Sequence, residues 1–289
     1  MNIPSMQFAI RTLALSFAVS FLLLPVSHAQ MGGSRTAASQ IPNSTDQQQT
    51  EMHALTDVQR QPGSTVDPKE QKAYDAFFHV NSELTDKKIQ LGNAFLEKYP
   101  KSIFAEAVDS QLTTAYYDKQ DWKDFYATAD KALALKPDDV DVLATVGWVI
   151  PHFYNPSDDN AGQQLNKAET CEKHAIEVLA TMKKPASLTD AQFAAAKAQT
   201  ATQAHSALGL VYFRREDYAN SATELQQVTQ NSPTPDQTDL FVLGIDLQNL
   251  NKFADAADAF GRCGQIAGNL QDRCKQSADM ARKQATQPK

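Results

Sequence analysis

Strand signals are nearly absent from this chain. Alternating β-branched runs do not occur, while Ala, Gln and Leu are abundant. Apolar positions instead fall on helical spacing, as in the single stripe of Leu270, Cys274, Ala278 and Ala281. A longer period lies over the helical one. Leu208-Gly209-x-x-Tyr212 is followed by Tyr218, Ala222, Leu225 and Pro233. Leu243-Gly244-x-x-Leu247 is followed by Phe253, Ala256 and Phe260, with Gly244 standing 35 residues after Gly209. Small residues in such a pattern sit where two helices cross closely, and the large ones fill the space between neighbouring units. One helical hairpin cannot bury its apolar face alone, so units of this kind must stack.

That pattern resembles the tetratricopeptide repeat, whose period is roughly 34 residues. The resemblance implies an all-α solenoid of about five helix-turn-helix units over residues 67–270, wound as a right-handed superhelix. A capping helix at 271–284 and a short tail at 285–289 complete the chain. The first unit contains FLEKYPKS, followed by FAEAV and AYY. This stretch resembles the repeats of bacterial envelope proteins, namely outer-membrane assembly lipoproteins and cell-division coordinators. The second unit carries Leu112, Tyr116, Trp122, Ala132 and Pro137, but Phe125 stands where a small residue is usual. The third has Val146-Gly147-x-x-Ile150 and then an insertion, Pro151 to Gly162, before a second helix near Gln163. Long insertions of that kind are often functional. The fourth opens with a long helix predicted over Asp190 to Arg214.

Helix starts are legible. Asp67-Pro68-Lys69-Glu70 supplies an N-cap, a first-turn Pro and an acid. Thr234-Pro235-Asp236-Gln237 reads as a capping box, and Ser187-Leu188-Thr189-Asp190 as a looser version of it.

The chain begins with Arg11, an apolar run from Leu13 to Pro25, and the small-x-small triplet Ser27-His28-Ala29. Residues 1–29 are expected to be a secretory signal peptide, and the run is short for the ~20 residues of a membrane span. Residues 30–66 are polar and of low complexity and are expected to be a disordered linker. It includes a glycosylation sequon, Asn43-Ser44-Thr45, which matters only in a eukaryotic secretory route. No membrane span is expected in the mature chain, and a periplasmic location follows from the leader. A net charge of −7 and a pI near 5.4 give no reason to expect nucleic-acid binding.

Cys263 and Cys274 lie equidistant from a turn centred on Gly268-Asn269 and would face one another in a helical hairpin, so an exported chain should bridge them. Cys171 has no evident partner and is expected to pack in the third unit. Cys171 with His174 is too small a set for zinc, and Asp158-Asp159-Asn160 lacks the glycine and ligand alternation of a calcium loop. His79 and His205 are expected to be packed or half-exposed. No phosphate loop, dinucleotide fingerprint, zinc-protease motif or nucleophile elbow occurs. No catalytic residue, metal or cofactor is therefore assigned.

The resemblance implies a concave face lined by first helices that binds an extended or helical peptide. In the family's register it would present Tyr117, Trp148, Leu210, Phe213, Arg214, Phe241, Ile245 and Asn249. Lys and Asn are scarce at these positions, which argues against clamping an acidic chaperone tail. The expected function is a non-enzymatic protein-interaction scaffold of the bacterial cell envelope. The alternative is a cell-wall or glycan-associated module.

Overall fold

The computed structural model describes residues 66–287 apart from residues 82, 83, 187 and 233. The expected signal peptide, and the linker up to residue 65, lie outside the described residues, as do Pro233 and the last two residues of the tail. The described residues form eleven helices and no strand. They are α1 (Pro68–Phe78), α2 (Thr85–Lys98), α3 (Ala105–Lys119), α4 (Trp122–Leu135), α5 (Val140–His152), α6 (Ala161–Thr181), α7 (Asp190–Arg214), α8 (Tyr218–Asn231), α9 (Gln237–Asn249), α10 (Phe253–Cys263) and α11 (Gln271–Ala285).

Each odd-numbered helix up to α9 packs on the even-numbered helix that follows it. Each even-numbered helix then packs on the next odd one. First helices also touch across repeats, α3 on α5, α5 on α7 and α7 on α9. The result is a tetratricopeptide-like α-solenoid of five hairpins, closed at its C-terminal end by α11.

The crossings inside the fourth and fifth hairpins are set by the predicted glycines. A Cβ on Gly209 would lie 2.5 Å from Leu225 Cδ2, and one on Gly244 would lie 2.5 Å from Phe260 Cδ1. Leu225 and Phe260 are buried. The predicted Ala222 is buried, and its neighbour Ser221 donates its hydroxyl to Gly209 O at 2.9 Å. Phe125 does not spoil the second hairpin. It is fully buried, and Ala129, one turn on, takes the small role beside a Thr113–Thr128 hydroxyl bond of 3.1 Å.

Three connections between first and second helices are tight, and each turns on a residue in the left-handed region: Gln120 (φ 55°), Glu216 (φ 61°) and Asn251 (φ 59°). Each turn is closed by a backbone bond spanning five residues, for example Asp217 N–H to Tyr212 O at 2.9 Å. The third hairpin has no such turn. There α5 continues through Pro151 to His152, so the insertion is the shorter loop 153–160.

Caps explain the helix starts. Asp67 accepts from Lys69 N–H with Pro68 at the first position, as expected. Before α9 the cap is Asp236, which takes Thr238 and Asp239 N–H, so Pro235 precedes the helix and Thr234 is not its cap. Before α7 it is Thr189, in a reciprocal capping box with Gln192.

Polar bonds tie neighbouring repeats together. Glu169 of α6 accepts from Arg215 and, at 3.2 Å, from the Tyr212 hydroxyl. Lys173 and Arg215 hold its carboxyl down to about 2. At the C-terminal end, Gln237 donates to Ile266 O at 2.8 Å. Its Oε1 would lie 2.4 Å from a Cβ on Gly268, so any larger residue there would displace the Gln237 amide. Cys263 and Cys274 are joined by a disulfide across this turn, with Cα atoms 5.7 Å apart. Cys171 is buried and free.

Candidate aromatic recognition site

The C-terminal turn of α5 gathers aromatic side chains from three repeat elements. Trp148 and His152 are one helical turn apart on α5, and their rings stack with centroids 3.8 Å apart. Tyr117 of α3 lies edge-on to Trp148 at 6.1 Å and to Trp122 of α4 at 6.2 Å. Phe153, the first loop residue, packs on Trp122 at 4.5 Å and remains 47% exposed. Arg214 at the end of α7 closes the far side. Its Nε–H donates to Pro151 O at 3.1 Å, and its guanidinium stands 5.8 Å from the Tyr154 ring centroid.

Electrostatics follow from crowding. Burial pushes the Tyr117 hydroxyl up to about 12 and pulls His152 down to about 4. His152 is therefore neutral near pH 7. Its Nδ1 lies 2.7 Å from Trp148 O, and a carbonyl oxygen only accepts, so Nδ1 carries the proton and Nε2 is a lone-pair acceptor. Asp236 and Arg214 both act on His152 through space, with opposite signs. The recess also lowers the Arg214 pKa, although the residue as a whole is exposed.

The predicted groove residues divide into three groups. Tyr117, Leu210 and Phe241 are buried, at 5%, 4% and 8% exposure, so they are walls or core rather than open contacts. Phe241 in particular lies between Phe260 and the Arg273 guanidinium of α11, 4.9 Å from its ring centroid. Trp148, Phe213 and Ile245 are half-buried, Phe213 with its ring edge-on to Tyr218. Arg214 and Asn249 are exposed, but the Asn249 amide donates to Ile245 O in its own helix. Trp148 and Arg214 thus flank one recess, whereas Phe241 is sealed by the capping helix. The predicted groove residues do not include Trp122, while His152, Phe153 and Tyr154 fall in the Pro151–Gly162 insertion, expected as a functional segment without its residues named one by one. The four-residue step from Trp148 to His152 was the available signal, as was the aromatic pair at the start of the insertion.

Among the described residues no group of His, Cys, Asp and Glu is arranged to hold a metal ion. No helix among them is long and apolar enough to cross a membrane. No protein-family model matches the chain, and no curated protein matches it. Among solved structures it is similar to a tetratricopeptide repeat protein from Parabacteroides merdae ATCC 43184, at 12% identity over 80% of this chain and 99% of that one, with a TM-score of 0.26. The repeat assignment rests on the helix packing above and not on that similarity.

Proposed function

We propose that the chain is an exported, non-enzymatic scaffold of the bacterial cell envelope. It binds a segment of another protein on its first-helix side, at the recess around Trp148. The observation that carries this reading is the aromatic cluster itself. Phe153 and Trp148 keep exposed surface beside Arg214, and aromatic and Arg side chains supply most of the energy where proteins dock. Export and a periplasmic location rest on the leader read from the first thirty residues.

The test is capture from a bacterial envelope extract in parallel with binding to purified cell wall. Wild-type protein should retain a protein partner, and Trp148→Ala with Phe153→Ala should lose it while keeping its helical circular dichroism. Retention on cell wall alone would favour the glycan-associated alternative. Unchanged capture by the folded double variant would move the site elsewhere.

A further inference from the structure

Two carboxyl oxygens are sealed at the junction of the second and third hairpins. Asp139, fully buried, caps α5 with one oxygen, Oδ1, which accepts from Asp141 N–H at 3.1 Å and from Val142 N–H at 3.2 Å. Its other oxygen, Oδ2, is buried without a hydrogen-bond partner among the described residues, and so is Oε1 of Glu106 in the first turn of α3. The charged groups around Glu106 are Asp139 and Asp141 at the start of α5 and Lys136 at the end of α4, whose Nζ stays 4.0 Å from Oε1. That is beyond hydrogen-bond range. One turn along α3, Asp109 is buried with Lys131 of α4 acting on it, and Asp138 turns away to His174 of α6 at 2.7 Å. Neighbouring carboxylates offer acceptors and no donor, so the donor this site lacks is a proton on one of them.

We propose that one proton shared by Glu106 and Asp139 latches the third hairpin to the second, and that its loss parts the two and opens the aromatic recess. The packing of α4 on α5 is the least extensive of the steps by which a second helix meets the next first helix. The same two hairpins meet again at the other end of α3 and α5, where Tyr117 packs on Trp148 at 6.1 Å and Trp122 on Phe153 at 4.5 Å. One junction therefore holds the acid pair at one end and the aromatic rings at the other. Protonated, Glu106 donates to Asp139 Oδ2. Ionised, the two carboxylates face one another away from solvent and repel. Burial and the Asp139 carboxyl keep the proton on Glu106 up to about 8, whereas a Glu106 carboxyl released to solvent keeps it only to about 4.5. The joined state is fully favoured below the lower value, and its advantage falls as pH rises between the two. The latch goes beyond the scaffold reading and does not depend on which partner is bound.

Both tryptophans of the chain, Trp122 and Trp148, stand at this junction, so their fluorescence reports on it. The protein is titrated across that interval and above it, with the emission maximum and acrylamide quenching as readouts. As pH rises, the emission should move to longer wavelength and quenching should increase, while the helical circular dichroism stays constant. His152 and Tyr117, beside the tryptophans, titrate at about 4 and about 12 and do not produce the change. Asp239 and Asp246 titrate at about 7 and Lys88 at about 8, but the two test variants leave all three in place. Glu106→Gln puts an N–H where the proton was, and Asp139→Asn does the same while keeping the capping oxygen. Each should hold the low-pH emission and quenching throughout the titration. A wild-type signal that does not change with pH, a change that survives in either folded variant, or a change accompanied by loss of helix would overturn the inference. A shifted melting temperature without the spectral difference would make the pair a stability element alone and would overturn it too.

Discussion

Gly209 meets Leu225, and Gly244 meets Phe260, sixteen residues on in each case. In the third hairpin the same place is held by Gly147, but its partner across the crossing is a carboxylic acid. A Cβ on Gly147 would lie 2.4 Å from Glu172 Oε1. Glu172 is fully buried, and neither of its carboxyl oxygens has a hydrogen-bond partner among the described residues. Burial raises its pKa well above the ordinary value, so it is held protonated. Glu172→Leu, which restores the residue type found at Leu225, should stabilise the chain by about 1–3 kcal/mol, the cost of an unsatisfied buried polar group. Chemical denaturation measures this, and a less stable variant would mean that Glu172 has a partner. Gly209→Ala should cost about 1–3 kcal/mol by overpacking. In a Leu225→Ala background the cost should shrink, because the clashing atoms are gone. Equal costs in both backgrounds would show that Gly209 and Leu225 are not coupled.

Elements divide by how local their cause is. The long α7, the capping helix, the first hairpin's cap and the disulfide were legible because each is written in nearby residues. Symmetry of Cys263 and Cys274 about one turn is such a case. Side-chain accessibility was not legible, because it depends on what another element brings. Phe241 was expected to line the concave face, yet Arg273 of α11 covers it. Leu210 joins the C-terminal core in the same way. The segment carrying His152 and Phe153 was legible as a candidate, but not that His152 stands on α5, which runs past Pro151. The disulfide ties α11 to the last hairpin, where the solenoid has a neighbour on one side only. Closing so short a loop contributes on the order of 3 kcal/mol in the chain-entropy model. Reduction should therefore raise amide exchange in α10 and α11 while α5 to α7 stay protected. Uniform loosening of every repeat would contradict this.

Among the described residues Asp109, Asp139, Glu172, Asp239 and Asp246 are buried, and none of these five carboxyl groups forms an ion pair. Burial, reinforced by the neighbouring Asp139 carboxyl, raises Glu106 to about 8. Burial raises Asp239 and Asp246 to about 7, and holds Glu172 well above its ordinary value. In the unfolded chain these groups titrate near their ordinary values of 3.8 and 4.5. Near neutrality the unfolded state thus holds fewer protons than the folded one, and stability falls as pH rises through the folded pKa values. His152 has the opposite sign, but its contribution is lost only as pH falls from about 6.5 through about 4. Lys88, lowered to about 8, begins to oppose the trend only above that pH. The melting temperature should therefore drop between about pH 6.5 and about pH 7.5, and the drop should be smaller in Glu172→Leu. A melting temperature that rises over this window would contradict the burial of these acids.

The claim at the centre of this account is that the solenoid recognises its partner on the first-helix side, beside Trp148. Site-specific photo-crosslinking in envelope-containing cells tests it most directly. A benzophenone side chain is placed at Phe153 or Phe213, and for comparison at Ala127 or Gln230, which are exposed on second helices α4 and α8. The account predicts a discrete protein adduct from positions 153 and 213 and none from 127 and 230. Adducts confined to the second-helix positions would contradict it.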